Sequence, residues 1–253
     1  MSSWVIKGLR TGVVTTNYPA CEETQTAQGT SPGFPHAVLS KDTNYKALIS
    51  RCPMHAIGEV ADRLAVERTR CIHCYRCVRG IEKPIPWDAG FEWASITGGA
   101  SSFPKAFRRS MHIRVLDAGD CGACINEVKL LNNPFYNMHR LGFFITPTPR
   151  QADVLLVVGP VTDHMKTALL KAYEAIPTPK RVMAVGTCAL SGGLFGPGFV
   201  TSPGAGDILP VDVKVPGCPP PPLAILHGLL LLSGRKAAAE IESVSTPLKK
   251  GEM

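Results

Sequence analysis

Four cysteines in the second half of the chain lie in loops rich in glycine and proline. Cys121 and Cys124 form a C-x-x-C pair, whereas Cys188 and Cys218 each stand alone further along. Four thiolates brought to one place call for a metal, and one close pair with two distant single cysteines is typical of an iron–sulfur cluster. The residue types and their spacing therefore predict an iron–sulfur site formed by these four residues.

A second set of cysteines lies earlier in the chain, with Cys52 followed by Pro53 and a C-x2-C-x2-C triplet at Cys71, Cys74 and Cys77. Bacterial-type ferredoxins carry the run C-x2-C-x2-C-x3-C-P twice, and the fourth cysteine of each run binds the other cluster. The segment resembles such a ferredoxin with one of its two clusters removed. Pro53 is expected to end the helix or turn behind Cys52 and to help hold its backbone in place.

The positions that would bind the missing ferredoxin cluster have lost all four of their cysteines together. They are Asp42, Tyr45, Leu48 and Ile81. The four ligands of the other cluster are all present, so we expect a [4Fe–4S] site there. Four cysteines could also form a structural zinc site, but its usual signature is two C-x-x-C pairs. His73, inside the triplet, is expected to lie near the cluster without binding it, since four thiolates suffice.

The cysteine count and the hydropathy pattern limit the cellular compartment and the class of protein that we expect. The chain has nine cysteines among 253 residues, and the residues from Met1 to Lys7 lack the apolar core and cleavage site of a signal peptide. Metal binding in a reducing compartment is therefore favoured over disulfides, and Cys21 is expected to be a free thiol.

The apolar run from Leu223 to Leu232 falls short of the ~20 residues of a membrane span and predicts a buried helix, so we expect a soluble or peripheral protein.

The net charge of +7 is moderate and leaves two kinds of contact open, with anionic lipid headgroups or with an acidic partner subunit. No nucleic-acid partner is expected, because the basic residues form no long run interleaved with aromatic residues.

Residues 2–16 combine Ile6, Leu9 and Val13, on one helical face, with Lys7 and Arg10. This pattern predicts a short amphipathic helix. Two positions for it remain open: at an interface, on a membrane or on a membrane subunit, or packed against its own domain.

From His112 onward, apolar strands alternate with helical patterns, which predicts a parallel α/β sheet domain of flavodoxin-like type. The expected strands are 113–116, 143–145, 154–158, 182–185 and 211–215, and the expected helices are 124–131 and 162–175, the second capped by Thr162. Ligands in such sheets bind at the carboxyl ends of the strands. Because Cys121, Cys188 and Cys218 each follow a strand, one edge of the sheet is expected to gather all four thiolates.

These patterns divide the chain into an amino-terminal helix and extended arm (1–44), a small ferredoxin-like α+β domain (45–80), a connector (81–111), the sheet domain (112–235) and a carboxyl-terminal tail (236–253). The arm is rich in proline, glycine, threonine and serine, so we expect little regular structure in it. The basic end of the connector is either a solvated face or a docking surface.

Several separated motifs carry a family resemblance. In order they are Asp117-Ala-Gly-Asp-Cys121-Gly-Ala-Cys124 with Glu127, Thr148-Pro-Arg150-Gln-Ala-Asp153, Gly159-Pro-Val-Thr162, Gly186-Thr-Cys188-Ala-Leu-Ser191-Gly192-Gly193 and Pro216-Gly-Cys218-Pro-Pro220. The segment from about Arg114 to Arg235 thereby resembles the small-subunit family shared by [NiFe] hydrogenases and the 20-kDa-type subunit of respiratory complex I. In that family these four cysteines hold the [4Fe–4S] cluster nearest the catalytic large subunit, and the resemblance implies the same arrangement in this chain.

The first pair of ligands separates two branches of this family. The complex I subunit carries two adjacent cysteines there, whereas Cys121-Gly-Ala-Cys124 has the spacing of the hydrogenase branch. The resemblance implies the electron-transfer small subunit of a membrane-associated [NiFe] hydrogenase, of formate-hydrogenlyase or energy-converting type, with catalysis on a separate large subunit. The implied location is cytoplasmic, peripheral on the inner face of the cell membrane through the membrane subunits of the complex.

The amino-terminal part looks like the polyferredoxin-type subunit of the same complexes, including Lys7-Gly-Leu-Arg-Thr-Gly-Val13 and Asn17-Tyr-Pro19. This implies a fusion of two usually separate chains, two [4Fe–4S] clusters in one relay, and a ferredoxin or a formate-dehydrogenase-type subunit as electron donor. Ile125 departs from the family, whose members usually have an acidic residue there. Glu127 is present and could belong to a proton path or to a structural ion pair.

Two other functions stay open. A complex I relative whose large subunit lacks nickel would reduce quinone or another acceptor, and the number of C-x-x-C pairs in that large subunit would distinguish it from a hydrogenase. A zinc-stabilised interaction module would contain zinc and no acid-labile sulfide.

Overall fold

The computed structural model describes residues 3–20, 31–35, 45–60, 63–80, 84–98 and 103–237. In these ranges the α-helices and β-strands are, in chain order, α1 (Ser3–Thr11), β1 (Phe34–Pro35), α2 (Tyr45–Arg51), β2 (Ile57–Val60), β3 (Arg63–Val66), β4 (Trp87–Asp88), β5 (Ser95–Ile96), β6 (Met111–Asp117), α3 (Ala123–Leu130), β7 (Phe143–Ile145), β8 (Val154–Val158), α4 (Asp163–Ala175), β9 (Arg181–Val185), α5 (Thr187–Ser191), β10 (Val213–Val215) and α6 (Pro222–Leu232).

A six-stranded sheet in the order β5-β10-β9-β8-β6-β7 forms the centre of the structure. Strands β6 to β10 are parallel to their neighbours, and β5 pairs antiparallel with β10 at one edge. Numbered along the chain, the parallel strands have the order 2-1-3-4-5 of the flavodoxin-like fold. The predicted α/β class is therefore confirmed.

The central strand β8 shows how the sheet is covered. All five of its residues are buried, as expected for a parallel strand with helices on both faces. Its side chains alternate between the two faces, so Leu156 packs in one core with α6, while Leu155 packs in another with Leu169 of α4. The continuous apolar run predicted this strand with the bounds it has.

The helix α6 is buried along its whole length, as its apolar sequence predicts. Gly228 allows it to lie close to the sheet, because a Cβ atom there would stand 2.7 Å from the Met183 Cε and 2.8 Å from the Val215 Cγ2. Across the ranges that the structure describes, no helix is both long and apolar enough to cross a membrane.

The capping role predicted for Thr162 is only half right. Thr162 has the extended backbone of an N-cap residue and precedes the first residue of α4, but its side chain makes no capping hydrogen bond. The side chain is instead turned toward Gly119, whose ideal Cβ would lie 2.6 Å from the Thr162 methyl group. Contact with the loop after β6 therefore displaces the hydroxyl from the helix end.

The first cysteine set belongs to a small α+β unit, as predicted. The helix α2 is followed by the antiparallel hairpin of β2 and β3, and the unit has its own apolar core that includes Leu48, Ile57 and Leu64. Leu48 occupies one of the positions of the missing ferredoxin cluster. It is 3% exposed, so this position packs in a hydrophobic core.

The described parts of the arm and of the connector are more ordered than their composition predicts. Tyr18 and Phe34 from the arm, and Phe91, Trp93 and Phe103 from the connector, are buried in the same core as α6. The connector also supplies β4, which pairs with β1, and β5, which extends the main sheet. Buried aromatic side chains therefore fix these segments even though glycine and proline interrupt any regular pattern.

The amphipathic helix predicted near the amino terminus is present as α1, and none of its residues is buried. Leu9 is 76% exposed and Ile6 is 40% exposed. Of the two positions considered for this helix, packing against its own domain receives no support from the structure.

Candidate metal centres

The carboxyl ends of three parallel strands carry the second cysteine set. Cys121 follows β6 and precedes α3, Cys188 lies in α5 directly after β9, and Cys218 follows β10. Cys124 is in the first turn of α3, where it is buried. Because β9 and β10 are adjacent and β6 is two strands away, the sheet brings all three loops to one edge.

Burial and mutual electrostatic interaction raise the pKa values of three of these four thiols. Burial, followed by the charges of Asp120, Cys188, Cys218 and Cys121, raises the pKa of Cys124 far above its usual value. Burial, followed by repulsion from Cys218, Cys121 and Asp120, raises the pKa of Cys188 to about 11. The pKa of Cys218 is raised by burial and by the charges of Cys121 and Asp120.

With a raised pKa, the thiols of Cys124, Cys188 and Cys218 would be protonated at neutral pH if they remained free. Iron that binds the sulfurs would reverse this preference, because a metal ion's positive charge deprotonates a coordinating thiol. Four sulfurs at one sheet edge, with no other ligand type required, therefore fit the donor set of a [4Fe–4S] cluster.

Two glycines are required where the backbone passes the sulfurs. Gly186 has φ +93°, and an ideal Cβ there would be 2.5 Å from the Cys124 Sγ. Gly193 has φ +57°, and its Cβ would be 2.5 Å from the Cys188 Sγ. A side chain at either position would be strained and would displace a sulfur.

Two carboxylates shape the loop of the C-x-x-C pair. One Asp117 oxygen accepts the N–H groups of Gly119 and Asp120 at 2.9 and 2.7 Å. One Asp120 oxygen accepts those of Gly122 and Ile125 at 3.0 and 3.1 Å. No role for these aspartates was predicted from the sequence, although Asp two residues before Gly, as at 117/119 and 120/122, is a recognisable signal for turns of this kind.

The first cysteine set surrounds one pocket. Cys52, Cys71, Cys74 and Cys77 all line it, together with Trp87 and other residues of the small unit. Cys52 follows the end of α2 at Arg51, and its sulfur accepts the N–H of Ala56 at 3.3 Å. The four predicted ligands are thus brought together.

Burial also raises the pKa values of Cys71 and Cys77 in the first set. It raises the pKa of Cys71 to about 12; a hydrogen bond from the His73 backbone opposes the rise, and repulsion from Cys52, Cys77 and Cys74 adds to it. The pKa of Cys77 is raised mainly by burial. These thiols fit a [4Fe–4S] cluster for the same electrostatic reason as the second set.

His73 lies beside the first set, as the sequence predicts. Its ring packs edge to face on Phe34, with 4.4 Å between ring centroids, and tilts against Trp87 at 5.9 Å. Burial lowers the pKa of His73 to about 4. Neither ring nitrogen has a hydrogen-bond partner among the described residues, so the imidazole acts there as a packing group.

Within the described ranges, no three His, Cys, Asp or Glu side chains are arranged to bind one single metal ion. A zinc site would need four sulfurs about 2.3 Å from one ion. The first set lines one pocket, and the sulfide content of the purified protein distinguishes a cluster from zinc there. Cys21, predicted to be a free thiol, lies outside the described residues, as do Asp42 and Ile81.

Glu127 is half-buried on α3, and burial raises its pKa. Burial, followed by the charge of Glu127, raises the pKa of Tyr136. The ion pairs found among the described residues do not include Glu127. Ile125, at the position that departs from the family, packs against the main core.

Comparison with known proteins places residues 121–232 in the family described as "NADH ubiquinone oxidoreductase, 20 Kd subunit". The chain is 40% identical over 146 residues to a subunit of the NADH-quinone oxidoreductase of Carboxydothermus hydrogenoformans, covering 57% of this chain and 79% of that one. It is 38% identical over 148 residues to the "Probable membrane-bound hydrogenase subunit mbhJ" of Pyrococcus furiosus, covering 58% and 87%.

A third relative is formate hydrogenlyase subunit 7 of Escherichia coli, with 36% identity over 159 residues, covering 63% of this chain and 60% of that protein. The predicted resemblance is therefore confirmed at the level of the family, and so is the prediction of an oxidoreductase subunit. The chain belongs to the family of the 20 kDa subunit of NADH ubiquinone oxidoreductase.

Proposed function

We propose that this chain is the electron-transfer small subunit of a membrane-associated [NiFe] hydrogenase of formate-hydrogenlyase or energy-converting type. It would relay electrons through two [4Fe–4S] clusters to or from a separate large subunit. Two separate sets of four cysteines, each brought together by the fold, carry this proposal. The names of the relatives from Pyrococcus furiosus and Escherichia coli support it.

In this proposal Cys52, Cys71, Cys74 and Cys77 hold one cluster, and Cys121, Cys124, Cys188 and Cys218 hold the other. Each cluster, when bound, would take up and release one electron. The chain's own part is to hold the eight sulfurs in place, with Cys77 and Cys124 buried, and to donate backbone hydrogen bonds to some of them. Examples are the amides of Ala56 to Cys52, His73 to Cys71 and Leu194 to Cys188, which would adjust the reduction potentials.

The proposed large subunit would bind at the loop after Cys188. This loop exposes four large apolar side chains, which are Leu194, Phe195, Phe199 and Val200. Phe199 is 95% exposed, and a group of exposed apolar side chains is typical of a surface that a partner covers. The loop begins beside a proposed cluster ligand, so a partner bound there would lie next to that cluster.

Peripheral attachment to a membrane is proposed through membrane subunits of the complex, with α1 at the interface. The apolar face of this helix is exposed, and Lys7 and Arg10 lie beside it, as in helices that lie in the plane of a bilayer surface. The proposed electron donor is a ferredoxin or a formate-dehydrogenase-type subunit. Glu127 is proposed as a proton-carrying residue, since no ion pair in the described structure accounts for it.

A second candidate function is a subunit of a complex I-related enzyme without nickel that reduces quinone or another acceptor. The family description and the relative from Carboxydothermus hydrogenoformans favour it. Sequencing the large subunit that copurifies with this chain distinguishes the two. Two C-x-x-C pairs in that subunit would indicate a nickel site, and their absence would indicate the second function.

Anaerobic purification, with iron, sulfide and zinc counted per chain, tests the relay. About eight irons with matching sulfide, and EPR signals from two interacting reduced clusters, are expected for two [4Fe–4S] sites. About four irons would leave one site without a cluster and would contradict the two-cluster relay. Zinc without acid-labile sulfide would contradict the whole proposal and would support the zinc-stabilised interaction module.

A further inference from the structure

The two cysteine sets meet through one buried hydroxyl group. Thr187 begins α5, precedes Cys188 and is 1% exposed. Its hydroxyl oxygen lies 2.9 Å from the carbonyl oxygen of Cys71 and 3.2 Å from that of Gly217. The Gly217 carbonyl already accepts the Thr187 backbone N–H at 2.9 Å, so the hydroxyl is free to donate to Cys71.

This hydroxyl therefore touches the backbone of both sets. Cys71 belongs to the first set, and Gly217 precedes Cys218 of the second. Cys71 also packs against the main core, whereas Cys52 and Cys77 pack in the core of the small unit. Cys71 is thus the cysteine of the first set that reaches the sheet domain.

A second hydroxyl on α5, that of Ser191, contacts the backbone two residues before Cys71. The Ser191 Oγ lies 3.1 Å from the carbonyl oxygen of Thr69 and 3.1 Å from that of Thr187. Two hydrogen bonds therefore attach residues 69–71 to one face of α5. The bond from Thr187 ends at Cys71, which is a proposed ligand. Thr187 itself directly precedes Cys188, a proposed ligand of the other cluster.

We propose that Thr187 is a positioning residue for electron transfer between the two clusters, and this inference rests on the proposed function. The rate of electron transfer falls steeply with the distance between centres and is favoured by a continuous bonded route. The Cys71 carbonyl, the Thr187 hydroxyl and the peptide bond to Cys188 form such a route, with one hydrogen bond in an otherwise covalent path.

The step needs no chemistry at Thr187 itself. One electron leaves one site and arrives at the other, so one site is oxidised and the other is reduced by the same amount. No covalent bond forms or breaks, and the Thr187 hydroxyl keeps its proton throughout. Its part is to fix the separation of the two ligand loops.

The test compares three variants of the full chain, purified anaerobically with its clusters. Thr187→Val replaces the hydroxyl with a methyl group of similar size, and Thr187→Ser keeps the hydroxyl. Ser191→Ala removes the neighbouring hydrogen bond to the same segment and is the matched control. The readouts are the iron content, the spin–spin splitting in the EPR spectrum of the fully reduced protein, and the rate of electron redistribution after rapid partial reduction.

We expect Thr187→Val to retain its iron, to lose spin–spin splitting and to redistribute electrons more slowly. Thr187→Ser and Ser191→Ala should behave like the parent chain. Parent-like splitting and rate in Thr187→Val would overturn the inference. If Thr187→Val does not fold, the spin–spin splitting of Thr187→Ser is used as the test instead. A folded Thr187→Ser with parent-like splitting supports the inference, and one without it overturns it.

Amide hydrogen exchange separates failure of this inference from failure of the proposed function. If the purified parent chain does not contain two clusters, the proposed electron relay is wrong. The hydrogen bond between Thr187 and the Cys71 carbonyl can still be tested in that chain. Faster exchange at residues 69–77 in Thr187→Val than in Ser191→Ala would support the positioning role independently of any cluster. Equal exchange in the two variants would overturn it.

Discussion

Trp93 donates its indole N–H to the carbonyl oxygen of Pro216 at 2.8 Å. Trp93 belongs to the connector, is 4% exposed and packs edge to face against Phe34 at 4.6 Å between ring centroids. Pro216 begins the Pro-Gly-Cys motif that contains Cys218. A connector residue and an arm residue thus support the loop of a proposed cluster ligand.

Replacing Trp93 with phenylalanine should weaken both the fold and the second site. The change leaves the Pro216 carbonyl without its buried donor, at a cost of about 1–3 kcal/mol, and reduces the packing around it. We expect a lower free energy of unfolding and a lower iron content per chain. Denaturant titration and iron analysis measure the two effects.

Trp4→Phe is the matched control for this substitution. Trp4 is 74% exposed on α1, so the same chemical change there should leave the free energy of unfolding within about 0.5 kcal/mol of the parent value. Equal stability and equal iron content in the Trp93 and Trp4 variants would show that the bond to Pro216 contributes nothing.

The parallel sheet was predictable because its signals are local. The apolar runs of β8 and α6 have nearly the observed bounds, and the rule that sites form at the carboxyl ends of strands brought Cys121, Cys188 and Cys218 together in the prediction. The burial of Trp93 was not predictable, because the segment Phe91-Glu92-Trp93 is too short to carry a periodic pattern that would show which core it joins. The bond between Thr187 and Cys71 joins residues 116 positions apart, so no local pattern predicts it.

Gly193→Ala should disturb the second site specifically. The residue has φ +57°, and the added Cβ would meet the Cys188 Sγ at 2.5 Å and the Cys188 Cα at 3.0 Å. The backbone strain costs about 1–2 kcal/mol, and the collision displaces a proposed ligand. We expect the iron content to fall toward that of a chain with one cluster, with the EPR signal of the first site retained.

Gly196→Ala isolates the backbone cost from the collision. Gly196 has φ +65° and ψ 178°, a conformation that is nearly restricted to glycine, but a Cβ there would meet no atom within 4 Å. This variant should be destabilised through its backbone at least as much as Gly193→Ala and should keep its iron. The role assigned to Gly193 is wrong if the two variants bind the same amount of iron.

His227 should make the stability depend on pH. It is 1% exposed on α6, and burial lowers its pKa from 6.5 to about 4; the charge of Glu92 opposes this shift and that of Lys236 adds to it. Glu92 and Lys236 form an ion pair at 2.8 Å, and Glu92 also interacts with the Tyr18 hydroxyl. These groups face the imidazole in the described structure.

The direction of this pH dependence follows from the number of protons that the folded and unfolded chains bind at His227. Between pH 6.5 and about 4 the unfolded chain binds a proton at His227 that the folded chain does not, so the free energy of unfolding falls as the pH is lowered through this range. The loss from one such group is at most about 3 kcal/mol. His73, whose pKa burial also lowers to about 4, should contribute in the same range.

His227→Leu tests this dependence by removing one of the two groups. Leucine fits the apolar helix, and the His227 Nδ1 has no hydrogen-bond partner among the described residues, so little is lost at pH 7. We expect the fall in stability between pH 6.5 and 4 to become shallower by about half, because His73 remains. Denaturant titrations at several pH values measure the slope, and an unchanged slope would contradict the prediction.

The exposed apolar face of α1 should bind lipid bilayers that contain anionic lipids. Ile6 and Leu9 lie on one face, and Lys7 and Arg10 supply charge attraction that salt will screen. Replacing both Ile6 and Leu9 with serine should abolish cosedimentation of the chain with anionic vesicles. Leu194→Ser, which alters an apolar side chain 68% exposed in the loop after Cys188, should leave it unchanged. If vesicle binding survives the α1 double variant, or disappears with Leu194→Ser, another surface binds the membrane and α1 does not have the proposed role.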